Sequence, residues 1–153
     1  MIPLDAFDLA ILRLLQQDAR RPLREIAEGV HLSAPSVQRR IRRMEEAGVI
    51  AATVAVIAPE AVGLPLTLIT TVELEREAPQ EIDAAKRFFL STPEVQQCHY
   101  VTGESDFVLI LQVASMAAYE NFTRRVLFAS GNVKKFRTMV SMDRVKTALK
   151  LGF

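Results

Sequence analysis

The stretch that decides the fold of the first third of the chain is "RPLREIAEGVHLSAPSVQRRIRRMEEAG", residues 21–48 of 153. Its first part is a short segment with an apolar stripe that stops at Gly29, which predicts a short helix. Its second part places Ser33 as an N-cap and Pro35 in a first turn, and Gly48 is positioned to end the helix. The stretch therefore predicts two helices joined by a tight turn.

The second of these helices carries a basic face. Between Ser33 and Met44 the chain has four arginines and no acidic residue, although its net charge is only +1. Val37, Ile41 and Met44 recur at helical spacing and point inward, which turns most other positions outward. The residues that we predict to contact DNA are Ser33, Pro35, Ser36, Gln38, Arg39, Arg42 and Arg43.

This basic face has two interpretations. It could be a solvated surface, balanced by Glu45 and Glu46 directly after it. Alternatively, a helix presented by a short helix and a tight turn lies in the major groove, where residues near its start reach base edges and later arginines meet phosphates. The helix spacing and the Ser33 cap favour the second interpretation. Double-stranded DNA is the predicted partner.

The remaining chain divides into a helix before this stretch and a mixed domain after it. Asp5 can cap a first helix, so residues 1–50 are predicted to form a three-helix, helix-turn-helix domain. Residues 51–65, rich in β-branched residues and then in proline and glycine, are predicted to be a linker strand and hinge. Residues 66–153 follow the order β-α-β-β-α-β, which predicts a ferredoxin-like sandwich. The predicted fold class is α+β.

The predicted strand from Phe107 to Val113 is apolar on both faces. An antiparallel sheet with helices on one side normally leaves its other side polar. We therefore expect a second copy of the chain to cover the open face, because a two-fold interface buries one patch against itself.

Composition excludes several classes of protein. No apolar run approaches the roughly 20 residues that span a bilayer, so we expect a cytoplasmic protein with no membrane partner. The single cysteine, Cys98, cannot form an internal disulfide, and two scattered histidines add no metal-ligand spacing. Cys98 and His99 are adjacent in a strand and point to opposite faces, so they cannot act together. We expect no catalytic residue, no metal and no cofactor.

Taken together, the segments of this chain resemble the Lrp/AsnC family, the leucine-responsive and asparagine-responsive transcription regulators. The matching segments are "LDAFDLAILRLLQQDAR", "LSAPSVQRRIRRMEEAGVI" and "YVTGESDFVLILQV", which are spread over the chain. The resemblance implies an N-terminal helix-turn-helix domain and a C-terminal domain that dimerises and binds an amino acid. It also implies a homodimer that assembles to an octamer.

The segment "TGESD", residues 102–106, has two interpretations. In the family that the chain resembles, this loop lines the effector site between dimers, and Gly103 and Asp106 match its glycine and aspartate. Backbone amides in such a turn can receive a carboxylate, and an acidic side chain can receive an ammonium group. It could also be only a polar hairpin turn. The predicted effector-binding residues are Thr102, Gly103, Glu104, Ser105, Asp106 and, from the last strand, Thr138.

The expected function is sequence-specific DNA binding by a transcription regulator, not an enzyme, whose DNA binding or assembly responds to a small amino acid. Two alternatives stay open at this point. One is an enzyme or enzyme subunit that uses the ferredoxin-like domain to sense an amino acid. The other is a DNA-binding regulator without any effector.

Overall fold

The computed structural model describes residues 2–153 and divides them into two compact units. The first unit runs to Val56 and also includes Lys146–Phe153, whereas the second is Ile57–Val145. The sequence predicts residues 146–153 in the second domain, and this boundary stays a prediction, although these residues pack with the first unit. The Gln16 side chain accepts a hydrogen bond from the Leu151 N–H at 2.7 Å, and this contact holds the C-terminal segment on the first unit.

Three helices form the first unit: α1 (Ala6–Leu15), α2 (Leu23–Gly29) and α3 (Ala34–Glu46). Asp5 caps α1 and forms a capping box with Asp8, and Ser33 caps α3 as predicted. Apolar side chains from all three helices share one core, which contains Ile11, Ile26, Ala27, Val30, Val37 and Met44. The predicted three-helix, helix-turn-helix arrangement is confirmed.

The linker after the first unit differs from its prediction. Residues 51–58 form neither helix nor strand and are exposed, and a short 3-10 turn follows at Pro59–Val62. The β-branched composition favours an extended backbone. A strand also needs a hydrogen-bonded neighbour, and residues 51–58 have none within the described chain. The predicted linker strand is therefore an unpaired, irregular segment here.

The second unit is a four-stranded antiparallel sheet with two helices. Its elements are β1 (Leu66–Leu74), α4 (Pro79–Leu90), β2 (Val95–Tyr100), β3 (Phe107–Val113), α5 (Met116–Phe122) with a π-helical turn at Thr123–Phe128, and β4 (Val133–Val140). The strand order is β2-β3-β1-β4. This is the predicted ferredoxin-like βαββαβ sandwich, so the α+β fold class is confirmed.

The two faces of the sheet bury different sets of side chains. On the helix-covered face, Leu68 of β1 pairs with Leu111 of β3, and both are 0% exposed. On the opposite face, Ile69 pairs with Ile110, and both side chains are half-buried. The prediction that β3 is apolar on both faces is confirmed. None of the helices within residues 2–153 has the length and apolarity needed to cross a bilayer.

Candidate DNA interface and effector loop

The predicted DNA-binding residues lie at the start and along the solvent side of α3. The Ser33 hydroxyl accepts a hydrogen bond from the Ser36 N–H at 3.4 Å, which ends the tight turn after α2. Ser36 is half-buried, and the side chains of Val37 and Met44 fix the inward face in the core. The exposed predicted residues are Ser33, Pro35, Gln38, Arg39, Arg42 and Arg43.

The arginines of α3 are not equivalent. Arg42 is 80% exposed, and its nearest anion is Glu46, 4.0 Å away. Arg43 is 47% exposed and donates to the carboxylate of Asp8 at 2.5 Å. Arg40 is 20% exposed and donates to Asp5 and Asp8, both at 2.8 Å. Arg42 is therefore the arginine whose charge is least compensated among these three.

A shallow depression of about 180 Å³ lies between Arg39, Arg40 and Arg43. Hydrogen bonds to Asp8 and Asp5 raise the pKa of the Arg40 guanidinium above its usual value, so Arg40 stays charged. A hydrogen bond from the Asp8 backbone and one from Arg40 lower the pKa of Asp5. The depression is therefore lined by three cations, and two of them, Arg40 and Arg43, contact the carboxylate of Asp8.

The contacts that join α1 to α3 do not follow from the sequence pattern. Asp5 is predicted only as a helix cap, and the predicted contact residues do not include Arg40. The capping pattern was a correct local signal. Contacts between residues 32 or 35 positions apart leave no spacing pattern in one sequence.

The predicted effector loop is pinned to the sheet by Asp106. Its N–H donates to the Val72 carbonyl, and its carbonyl accepts from the Val101 N–H, both at 2.9 Å. Its carboxylate accepts from the Leu74 N–H at 2.7 Å. Gly103 has φ +128°, a conformation that side-chain-bearing residues rarely adopt. Of the other loop residues, Thr102 and Glu104 are exposed and Ser105 is half-buried.

Charged side chains surround the loop on the open face of the sheet. The Arg137 guanidinium lies 3.8 Å from the Glu104 carboxylate, which is 93% exposed. Beside them a depression lined by Thr71, Glu73 and Lys135 holds only about 10 Å³, the room of one water molecule. A hydrogen bond from Lys134 lowers the pKa of Glu73. This depression is too small to enclose an amino acid.

Thr138, one of the predicted effector-binding residues, points away from the loop. Its hydroxyl lies 2.9 Å from the Thr70 hydroxyl and 2.5 Å from the Tyr119 hydroxyl, on the face that the helices cover. Alternate residues of a strand point to opposite faces, so the neighbouring Arg137 is the β4 residue beside Glu104. Arg137 is not among the predicted effector-binding residues, because the sequence does not reveal the register of β4 against β1.

Cys98 and His99 lie on opposite faces of β2. Cys98 pairs with Leu109 on the helix-covered side, and burial raises the pKa of its thiol. His99 pairs with Val108, and its ring lies 3.2 Å from the Gln97 amide oxygen. The two side chains therefore cannot act as a nucleophile and a base. Within residues 2–153, no group of three or more potential metal ligands comes together.

Known proteins match both units of the chain. Residues 4–45 match the AsnC-type helix-turn-helix domain, and residues 67–151 match the Lrp/AsnC ligand binding domain. An HTH-type transcriptional regulator of Sinorhizobium fredii is 44% identical over 143 residues, which are 94% of this chain and 85% of that protein. The leucine-responsive regulatory protein of Rhizobium meliloti is 37% identical over 150 residues, which are 98% of this chain and 96% of that protein.

A solved structure of a transcriptional regulator is also similar to this chain. The complex of a Neisseria meningitidis transcriptional regulator with L-Met matches with a TM-score of 0.91 at 29% identity. The match covers 98% of this chain and 97% of that one.

Proposed function

Since the chain belongs to the Lrp/AsnC family of transcription regulators, we propose that it binds specific sequences of double-stranded DNA through α3. We also propose that an amino acid bound beside residues 102–106 modulates this binding or the assembly of the protein. The observation that carries the proposal is the exposed basic face of α3, presented by α2 and the Ser33 cap.

Two groups of residues have different roles at the DNA interface, base contact and phosphate contact. Ser36, Gln38 and Arg39 lie nearer the start of α3, from which a recognition helix reaches base edges. Arg42 and Arg43 lie further along and donate to phosphates, which sets the position of the protein on the duplex. Ser33 and Pro35 shape the entry to the helix.

The effector contacts the loop through backbone and charge. The main chain at Gly103 is accessible to a ligand, since a Cβ atom added at this position would meet no other atom within 4 Å. The pair of Glu104 and Arg137 is exposed and weak, so the carboxylate of an amino acid can take the place of Glu104 beside Arg137. Thr102 and Ser105 supply further polar groups, and Asp106 supports the loop from behind. The related N. meningitidis structure, which contains L-Met, supports an amino acid as the ligand class.

A second copy of the chain completes the effector site. The depression beside the loop is too small for an amino acid, and the half-buried Ile69, Val108 and Ile110 occupy the open face of the same sheet. The exposed Val54 and Val56 in the unpaired linker offer a further surface for another copy. We therefore propose a homodimer, with the octamer implied by the family resemblance as its further assembly.

The test has two steps. DNA that the protein prefers is first enriched from a random duplex pool, and a thermal-shift screen then identifies a stabilising amino acid, starting with L-methionine. DNA affinity is measured with and without that amino acid, and its D-enantiomer serves as the matched control. We expect the L-form alone to raise the unfolding temperature and to change DNA affinity or oligomer size. Failure to enrich any duplex would refute the DNA-binding proposal.

A regulator without an effector is the second candidate. It is favoured by the engagement of the Asp106 carboxylate with Leu74 and by the small size of the neighbouring depression. Selective DNA binding that no amino acid changes would support this candidate. Catalysis is not proposed, because Cys98 and His99 face opposite sides of the sheet.

A further inference from the structure

Asp8 is a buried carboxylate beneath the basic face of α3. Its exposed fraction is 0%, and it is the only charged side chain among the buried residues within 2–153. A carboxylate removed from water is strongly destabilising unless opposite charges and hydrogen bonds compensate it. The compensating groups come from α3.

Both oxygens of Asp8 hold arginines of α3. Oδ1 accepts from Arg40 Nη1 at 2.8 Å, and Oδ2 accepts from Arg43 Nη2 at 2.5 Å. Oδ2 also accepts from the Asp5 N–H at 3.1 Å, and the Asp5 carboxylate accepts from Arg40 at 2.8 Å. We call Asp5 and Asp8 the acidic clamp. The clamp ties the N-terminus of α1 to two arginines one turn apart on α3.

The clamp leaves Arg40 and Arg43 in different environments. Arg40 is 20% exposed and lies over the Phe7 ring, 5.5 Å from its centroid, so little of it reaches solvent. Arg43 is 47% exposed and contacts Asp8 through Nη2. A guanidinium has five N–H donors in a planar fork, so Arg43 can bind Asp8 with one edge and a phosphate with another.

We propose that Asp8, supported by Asp5, is a positioning residue for DNA binding, a role that rests on the function proposed above. Asp8 holds the Arg43 guanidinium in one orientation toward a phosphate. The acidic clamp also offsets charge that Arg40 and Arg43 would otherwise present to any duplex. Positioned phosphate contacts set the register on DNA, whereas unrestrained positive charge raises affinity for all sequences. The clamp therefore favours selective over non-specific binding.

The test compares Asp8→Asn with Glu46→Gln, because each substitution removes one negative charge from the first unit. Asparagine keeps one acceptor oxygen but presents an N–H donor where the second oxygen was, so it releases Arg40 or Arg43. Glu46 is 72% exposed and lies 4.0 Å from Arg42, so Glu46→Gln changes the charge and leaves the clamp intact.

Affinity is measured by fluorescence anisotropy over a salt series for two duplexes. One duplex is enriched from a random pool by the wild-type protein, and the other has the same composition in scrambled order. For Asp8→Asn we expect tighter binding to the scrambled duplex and a salt slope steeper by about 0.9, the value for one more phosphate contact. Its preference for the enriched duplex should fall about tenfold, within the range of one lost specific contact. Glu46→Gln should keep the wild-type preference within about twofold.

Several outcomes would overturn the proposal. If Asp8→Asn weakens binding to both duplexes by the same factor and leaves the salt slope unchanged, Asp8 only supports the fold. If Asp8→Asn and Glu46→Gln lose preference equally, total charge explains the effect.

A milder variant keeps the test decisive if circular dichroism shows that Asp8→Asn does not fold. Asp5→Asn removes the outer charge facing Arg40, and asparagine still caps a helix. A severalfold loss of preference is then expected, and an unchanged preference would contradict the proposal. If the wild-type protein enriches no duplex, the proposed function fails, and this result is distinct from a failure of the clamp.

Discussion

The carboxylate of Asp106 accepts a hydrogen bond from the backbone N–H of Leu74 at 2.7 Å, and this contact joins the predicted effector loop to the end of β1. Leu74 is 3% exposed, so its N–H has little access to water. A second bond, from the Asp106 N–H to the Val72 carbonyl at 2.9 Å, strengthens the same junction. Asp106 therefore belongs to the framework of the loop.

Replacing Asp106 by alanine should destabilise the protein. The substitution leaves the buried Leu74 N–H without its acceptor, which costs about 1–3 kcal/mol in the free energy of unfolding. Asp106→Asn is the matched control, because its amide oxygen can still accept the bond. Urea unfolding followed by circular dichroism measures both variants. If Asp106→Ala lowers the free energy of unfolding by less than about 0.5 kcal/mol, as at an ordinary surface position, the bond to Leu74 does not stabilise the fold.

Neighbouring residues of β3 should respond differently to a buried charge. Leu109 is 0% exposed on the helix-covered face, so Leu109→Asp should unfold the second unit. Ile110 is half-buried on the open face, so Ile110→Asp should preserve the fold but prevent dimerisation. Analytical ultracentrifugation and circular dichroism of both variants test this. A wild-type chain that is monomeric at micromolar concentration, or a dimeric Ile110→Asp variant, would contradict the proposed interface.

Local signals in the sequence were sufficient to predict most of the fold. The Ser33 cap and the inward Val37 and Met44 define α3 without reference to any distant residue. The order of elements after residue 65 likewise follows from alternation and turn residues, and the structure confirms it. The linker was the exception, because extended propensity at residues 51–58 says nothing about whether a neighbouring strand is present.

The candidate site was less predictable, since it depends on register and on long-range pairing. The pairing of Thr71 with Arg137 and of Thr70 with Thr138 decides which β4 side chain lies beside the loop. A shift of one residue exchanges the two faces, and the sequence alone does not determine that register. The pairing of Asp8 with Arg43 was also unpredictable, because the two residues lie 35 positions apart in the sequence. Caps are local, whereas ion pairs between helices are not.

Acid should weaken the first unit partly through Asp5. Hydrogen bonds from the Asp8 backbone and from the Arg40 side chain hold the pKa of Asp5 below its usual 3.8. The folded state therefore binds this proton less tightly than the unfolded chain does. The resulting stability is fully present above the unfolded pKa and is lost as the pH falls through the folded pKa. Asp5→Asn keeps the cap but removes this titration.

The measurement is the unfolding temperature of wild type and Asp5→Asn as a function of pH. We expect the difference between them to be constant from about pH 7 to about pH 5 and to shrink below about pH 4. Arg40 and Asp8 are the charged groups that face Asp5, and Asp5→Asn leaves both in place. A difference that grows on acidification would have the wrong sign for a lowered pKa.

Arg42 and Arg43 should each supply one phosphate contact, but they should contribute unequally to stability. Arg42 is 80% exposed, and its pair with Glu46 at 4.0 Å is weak. Arg42→Ala should flatten the salt slope of DNA binding by about 0.9 and change the free energy of unfolding by less than about 0.5 kcal/mol. An unchanged slope would remove Arg42 from the phosphate contacts.

Arg43→Ala should flatten the salt slope by a similar amount and also lower the free energy of unfolding by about 1 kcal/mol or more. The reason is that Asp8, at 0% exposure, would keep Arg40 but lose the cation on its Oδ2. Arg43→Lys is the matched control, because it retains the charge and loses the planar fork. It should preserve more of the stability and of the slope than alanine does. Salt titrations with the enriched duplex and urea unfolding of all three variants measure both quantities. Equal stabilities for Arg42→Ala and Arg43→Ala would show that the contact between Asp8 and Arg43 contributes nothing measurable to the fold.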